Sequence, residues 1–131
     1  MRRLPLCALA VLLLVPAGCQ KLNFAKEATL ETATRFLEYT FDAPQGEQNI
    51  NVKASADEPI NVWVVLDEDR ETSLTSVERR QKPAKALAGQ ESSKEIDFDA
   101  TIPAKKSFAV VVGPSKEMRR DTTVKLNVRS K

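Results

Sequence analysis

The stretch Glu95-Ile96-Asp97-Phe98-Asp99-Ala100-Thr101-Ile102 decides the fold class. Ile96, Phe98, Ala100 and Ile102 alternate with polar residues, a period of two that fits an extended strand with one wet face. Outward toward the C-terminus, Pro103-Ala104-Lys105-Lys106 reads as a turn. Phe108 to Val112 is apolar at every position and predicts a strand buried on both faces. Gly113-Pro114-Ser115 opens a charged loop to Asp121, and Thr122, Val124, Leu126 and Val128 form a last inward row. Toward the N-terminus, Ile60, Val62, Val64 and Leu66 share one face while Trp63 and Val65 take the other. That strand belongs centrally or under a covering element. Asp57-Glu58-Pro59 reads as a turn, and Ile50, Val52 and Ala54 alternate before it. Leu37, Tyr39, Phe41 and Ala43 share a face in the period of two that begins at Arg35 and ends in the turn Ala43-Pro44-Gln45-Gly46.

Residues 68–83 break the alternation. Leu74 and Val77 sit three apart among polar neighbours, which predicts a short amphipathic helix near 72–81, from Thr72 to Gln81, stopped before Pro83. It reads as a crossover between sheets. Ala84 to Gln90 reads as a weak edge strand and Glu91-Ser92-Ser93-Lys94 as a turn. About seven or eight strands with one helical excursion predict an all-β chain, an antiparallel β-sandwich. No βαβ alternation supports a parallel sheet.

Composition narrows the chemistry. The 131 residues are enough for one domain, and the formal charge is +2. With no His, Ser-His-Asp and Cys-His catalysis, His-ligated zinc and an imidazole pH switch are excluded. No Ser-x-x-Lys or Gly-x-Ser-x-Gly occurs, and Gly18, Gly46, Gly89 and Gly113 are too scattered for a phosphate loop. The expectation is a chain that is not an enzyme and needs no cofactor.

The first residues read as an export address. Arg2-Arg3 precede an apolar run from Leu4 to Val15, and small residues follow. A helix of that run is roughly 18 Å long, short of the ~30 Å of hydrocarbon in a bilayer. Ala17-Gly18-Cys19 resembles the lipobox of bacterial lipoproteins, with Pro16 where that family usually has a Leu-like residue. The resemblance implies cleavage after Gly18, acylation of Cys19 and attachment to membrane lipid. Residues 1–18 are then the removed signal peptide, 19–33 a lipidated Cys and tether, and 34–131 the sandwich. Removal takes Arg2 and Arg3, leaving 18 basic and 18 acidic residues, so nucleic acid is not an expected partner. Gln20 is not the Asp that marks inner-membrane retention, so the same resemblance favours the outer membrane within an extracytoplasmic location.

A second resemblance covers about residues 35–130. Tyr39-Thr40-Phe41-Asp42-Ala43-Pro44-Gln45-Gly46, then Ile50-Asn51-Val52, then Ile60-Asn61-Val62-Trp63-Val64-Val65 looks like the start of bacterial pre-peptidase C-terminal-type domains. The closing pair, Ser107 to Val112 and Val124 to Val128, is similar to their last hairpin. The helical stretch near 70–82 departs from the short connection expected there. The resemblance implies a jelly-roll-like sandwich that assists folding, secretion or substrate binding.

Four groups are candidate sites. Asp67 and Asp69, in an acidic loop with Glu68 and Glu71, offer calcium two carboxylates, or are simply solvated. Asp97 and Asp99 share a strand face at roughly 7 Å, within the range of paired acids in glycoside hydrolysis, or guard an edge against aggregation. Trp63 either stacks on a ligand or seats the helix. Arg79-Arg80 with Lys82, and Arg119-Arg120, either face anionic headgroups or an acidic partner, or lie in solvated loops. The expected role is a lipid-anchored binding or accessory module of the cell envelope. The alternatives are a structural or assembly lipoprotein binding another envelope protein, and a calcium-dependent carbohydrate-binding module.

Overall fold

The computed structural model describes residues 21–33 and 36–131. The expected signal peptide, its expected cleavage point and Cys19 lie outside the described residues. The elements are β1 (Asn23–Leu30), β2 (Leu37–Phe41), β3 (Gln48–Leu66), a 3-10 turn (Asp67–Asp69), α1 (Arg70–Glu78), β4 (Ala88–Ile102), β5 (Phe108–Pro114) and β6 (Thr122–Ser130). Every strand pair among the described residues is antiparallel. The all-β sandwich architecture expected from the alternation is what forms.

Two long strands build it. The first half of β3 pairs with β6 on one side and the second half of β4 on the other, over Ile50–Ser55 and Gln48–Ser55 respectively. The second half of β3 leaves β6 and pairs with β5 over Ile60–Leu66. One layer is therefore β1-β6-β3-β4 and the other β2-β5-β3-β4, with β3 and β4 bending from one into the other. Inward rows from both layers meet in one core: Ile50, Val52 and Ala54 with Val124, Leu126 and Val128, against Ile60, Val62, Val64, Val110 and Val112. Burying each such Val, Leu or Ile side chain contributes about 1.5–3 kcal/mol, and this packing holds the shape with no Cys among the described residues.

The bend replaces an expected turn. Asp57-Glu58-Pro59 does not end a strand; it lies inside β3, and Glu91 to Lys94 lies inside β4. Between Ser55↔Glu95 and Ile60↔Ser93, β3 advances five residues while β4 advances two, so the surplus bulges outward. Ser92 sits at φ 50 in the compensating irregularity. Asn61, 3% exposed, secures it by accepting from the Ser92 N–H at 2.7 Å and donating to the Pro114 carbonyl at 3.4 Å. Among the described residues the strand count thus falls to six. Local turn chemistry is overridden because both flanking halves keep their inward rows only if the pairing continues through the bulge.

Two further boundaries shift. The segment expected as a tether contains β1, which pairs with β6 from Asn23↔Arg129 to Leu30↔Thr122. Leu22, Phe24, Ala28 and Leu30 alternate inward, and Lys26 interrupts the row, which hid the strand in the sequence. The helix runs Arg70–Glu78, earlier than expected at both ends. It ends because Arg80 adopts φ 58, with Arg80 N–H donating to Val77 O at 2.9 Å and Gln81 N–H to Ser76 O at 3.0 Å. That is a Schellman closure with Arg in the position Gly usually takes. The helix is not a crossover between layers: it joins β3 to β4, which are antiparallel neighbours.

Candidate functional site

Helix α1 lies over the outer face of the β2-β5-β3 layer. Trp63, Val65, Ala109 and Val111 point out of that layer, and Val77 of α1 closes over them, with Leu74, Phe36 and Ala86 at the margin. Two glycines permit the close approach. A Cβ at Gly113 would lie 2.5 Å from Val77 Cγ1, and one at Gly89 would lie 2.0 Å from Trp63 Cε3. Trp63 is 2% exposed, so its ring presents no face to a ligand. Stacking on a surface ligand is thereby corrected to packing: the odd row of β3 is apolar, and the helix must cover it. The indole N–H finds no acceptor among the described residues.

The acidic loop is tied up by cations. Asp67 pairs with Arg70 at 3.5 Å, Glu68 with Lys106 at 2.7 Å and Asp69 with Lys85 at 3.9 Å. The Lys106 ammonium, by hydrogen bond and charge, holds the Glu68 carboxyl below the usual range. Among the described residues no group of three or more His, Cys, Asp or Glu gathers to hold a metal ion. Asp67 and Asp69 thus each face a separate cation, Arg70 and Lys85.

Asp97 and Asp99 do share a face, as their spacing requires. Asn51 Nδ2 donates to Asp97 Oδ1 and to Asp99 Oδ1, each at 2.9 Å, and Lys131 Nζ donates to Asp99 Oδ2 at 2.7 Å. Lys131, then Asn51, lower the Asp99 carboxyl below its ordinary value. A glycosidase acid needs the opposite shift from the one at Asp99. The whole outer face of the β1-β6-β3-β4 layer is of this kind. Cross-strand rows run Glu27–Lys125–Ser55–Glu95, Ala25–Asn127–Lys53–Asp97 and Asn23–Arg129–Asn51–Asp99. It is open and polar, and it has no aromatic ring.

The basic pairs sit at one end of the sandwich. Arg119 and Arg120 are in the β5–β6 loop, where their backbone N–H groups donate to Glu58 Oε1 at 2.8 and 3.2 Å. Arg80 Nη1 donates to the carbonyl of Ser115 at 3.0 Å in the same loop. This end lies beside Leu30, at the far end of β1 from Asn23. Seven residues of strand place the two ends roughly 23 Å apart.

The near end carries a groove that the sequence did not announce. It is about 490 Å³, lined by Lys21, Leu22, Thr40 to Gln48 and Phe108. It is the mouth of the seam where the edges β1 and β2, in different layers, face each other unpaired. Phe24 packs edge-on to Phe41 at 5.1 Å, and Phe41 stacks on Phe108 at 5.0 Å, giving the seam an aromatic floor. The 42–47 loop forms a wall, held by Lys105 N–H donating to Pro44 O at 2.7 Å. Leu22 forms the other wall, stapled to β6 through Leu22 N–H to Ser130 Oγ at 2.7 Å and Ser130 N–H to Leu22 O at 2.9 Å. The one available signal was the apolar pair Leu22 and Phe24 in an otherwise polar stretch.

No family model matches the chain, and no curated protein sequence matches it. Solved structures do share its fold. It is similar to the pre-peptidase C-terminal domain of a collagenase from Bacillus anthracis, with 15% identity, a TM-score of 0.60, and coverage of 82% of this chain and 89% of that one. It is also similar to PliG of Aeromonas hydrophila, a periplasmic inhibitor of g-type lysozyme, with 15% identity, a TM-score of 0.55, and coverage of 87% and 89%. At that identity the likeness is one of fold. The sandwich inferred from resemblance to pre-peptidase C-terminal domains is present.

Proposed function

We propose that this chain is a lipid-anchored, extracytoplasmic binding or accessory module of a bacterial cell envelope, acylated at Cys19 and non-catalytic. The observation that carries the reading is the Ala17-Gly18-Cys19 sequence after a basic and apolar leader, set two residues before the point where Lys21 and Leu22 enter the fold. In this reading the groove end faces the membrane, and the Arg79-Arg80 and Arg119-Arg120 end faces away, so the basic pairs do not serve lipid headgroups. The polar β1-β6-β3-β4 face is left free for a protein partner. Intact-mass analysis of the natively produced protein tests the anchor. The expected product begins at Cys19 and carries acyl mass that Cys19→Ser abolishes; an unprocessed or unacylated chain would refute it.

The second reading, a module that binds another envelope protein, is favoured over glycan binding by the surface. Sugar recognition draws on exposed aromatic faces. Among the described residues Leu87, 37% exposed, is the one exposed large hydrophobic side chain. PliG, which shares the fold, acts on a protein.

A further inference from the structure

We propose that the groove at the β1–β2 seam binds the headgroup of a zwitterionic, amine-bearing phospholipid. The inference rests on the lipid-anchored reading and names what the membrane-facing end would meet. Elsewhere on this end Glu68 pairs with Lys106, Asp69 with Lys85 and Asp67 with Arg70. The three charges in the groove, Lys21, Asp42 and Glu47, have no hydrogen-bond or ion-pair partner among the described residues. One cation and two carboxylates border an apolar patch made by the half-buried Leu22 and Phe41, with Phe108 covered beneath them. A ligand matching all three features carries a phosphate for Lys21, an ammonium that hydrogen-bonds to Asp42 or Glu47, and an apolar tail starting over Leu22 and Phe41. The volume, about 490 Å³, falls in the range of small-molecule sites. Such a lipid is supplied by position: Cys19 lies two residues before Lys21, so an acylated Cys19 holds this mouth within roughly 7 Å of chain from the anchor.

The test titrates the full chain carrying Cys19→Ser with dihexanoyl phosphatidylethanolamine below its micelle concentration, read by hydrogen exchange. Protection confined to residues 21–22 and 40–48 is expected. Dihexanoyl phosphatidylglycerol, which lacks the amine, and free phosphorylethanolamine, which lacks the tail, should each bind at least tenfold more weakly. Lys21→Glu and Glu47→Lys alter exposed positions, leave melting unchanged and should each weaken binding at least tenfold. Equal binding of the glycerol lipid, equal binding of free phosphorylethanolamine, protection elsewhere, no binding, or indifference to both variants would each overturn the proposal. The mass measurement on native protein is independent. A bare Cys19 with binding intact removes the anchor alone, and an acylated Cys19 without binding removes the groove alone.

Discussion

The seat of the helix gives a prediction whose size follows from one contact. Gly113→Ala places a methyl 2.5 Å from Val77 Cγ1, in a β-branched side chain that is 2% exposed and has little freedom to turn away. Overpacking of this kind costs about 1–3 kcal/mol, offset by about 0.4–1 kcal/mol because Ala restricts the unfolded chain more than Gly does. The net expectation is a loss of about 1–2 kcal/mol. Val77→Ala removes two buried methyl groups and leaves a gap, a loss of about 2 kcal/mol. In the double variant the new methyl occupies the space vacated by Cγ1, since Val77 Cβ stands 3.9 Å from the same point. The two losses should therefore couple, with the double variant at least about 1 kcal/mol more stable than their sum; independent sites add to within about 0.5 kcal/mol. Urea unfolding followed by Trp63 fluorescence and far-ultraviolet circular dichroism measures all four proteins, and Trp63 lies in the same cluster as Val77. Additive losses, or a Gly113→Ala protein as stable as the parent, would show that α1 does not rest on β5 as described.

Trp63 itself should emit as a buried indole and resist acrylamide; quenching close to that of free tryptophan in the folded protein would contradict its 2% exposure. Arg80 at φ 58 should tolerate Gly better than Ala. Both variants lose the bond to the Ser115 carbonyl, but Gly escapes the left-handed penalty of about 1 kcal/mol, so Arg80→Gly should unfold at higher urea than Arg80→Ala, and the reverse order would refute the closure described. Stability should hold level from about pH 5 to 8 and decline below about pH 4. Glu58, Glu68, Asp99 and Glu117 all have carboxyls lowered in the fold. Their stabilisation is present above the unfolded values near 4 and is lost as pH falls through the folded ones. These groups are solvent-screened, so thermal melts should show a shallow decline, and a steep transition between pH 5 and 7 would contradict it.

Several elements could be read without a structure because their side-chain period and their burial have the same cause. Glu95 to Ile102 alternates because one face of β4 meets the core, and Phe108 to Val112 is uniformly apolar because β5 lies between the core and α1. The bend could not be read this way. Asp57-Glu58-Pro59 has the composition of a turn whether the chain reverses or bulges, and only pairing to β4 on one side and to β6 and β5 on the other selects the bulge. β1 was masked by Lys26, since one polar residue in an inward row is enough to break a short alternation. The groove was illegible because its walls, Leu22 and the 42–47 loop, meet only when two unpaired edges close on each other.

By itself, the sequence determined an all-β chain and the absence of imidazole chemistry, since these depend on residue type and short-range period alone. Tertiary structure alone decided that Trp63 is covered, that Asp67 and Asp69 answer to separate cations, and that the basic pairs and the groove occupy opposite ends. Each of those facts depends on which distant segments become neighbours, and in a sheet that is set by register across strands that no local window of sequence contains.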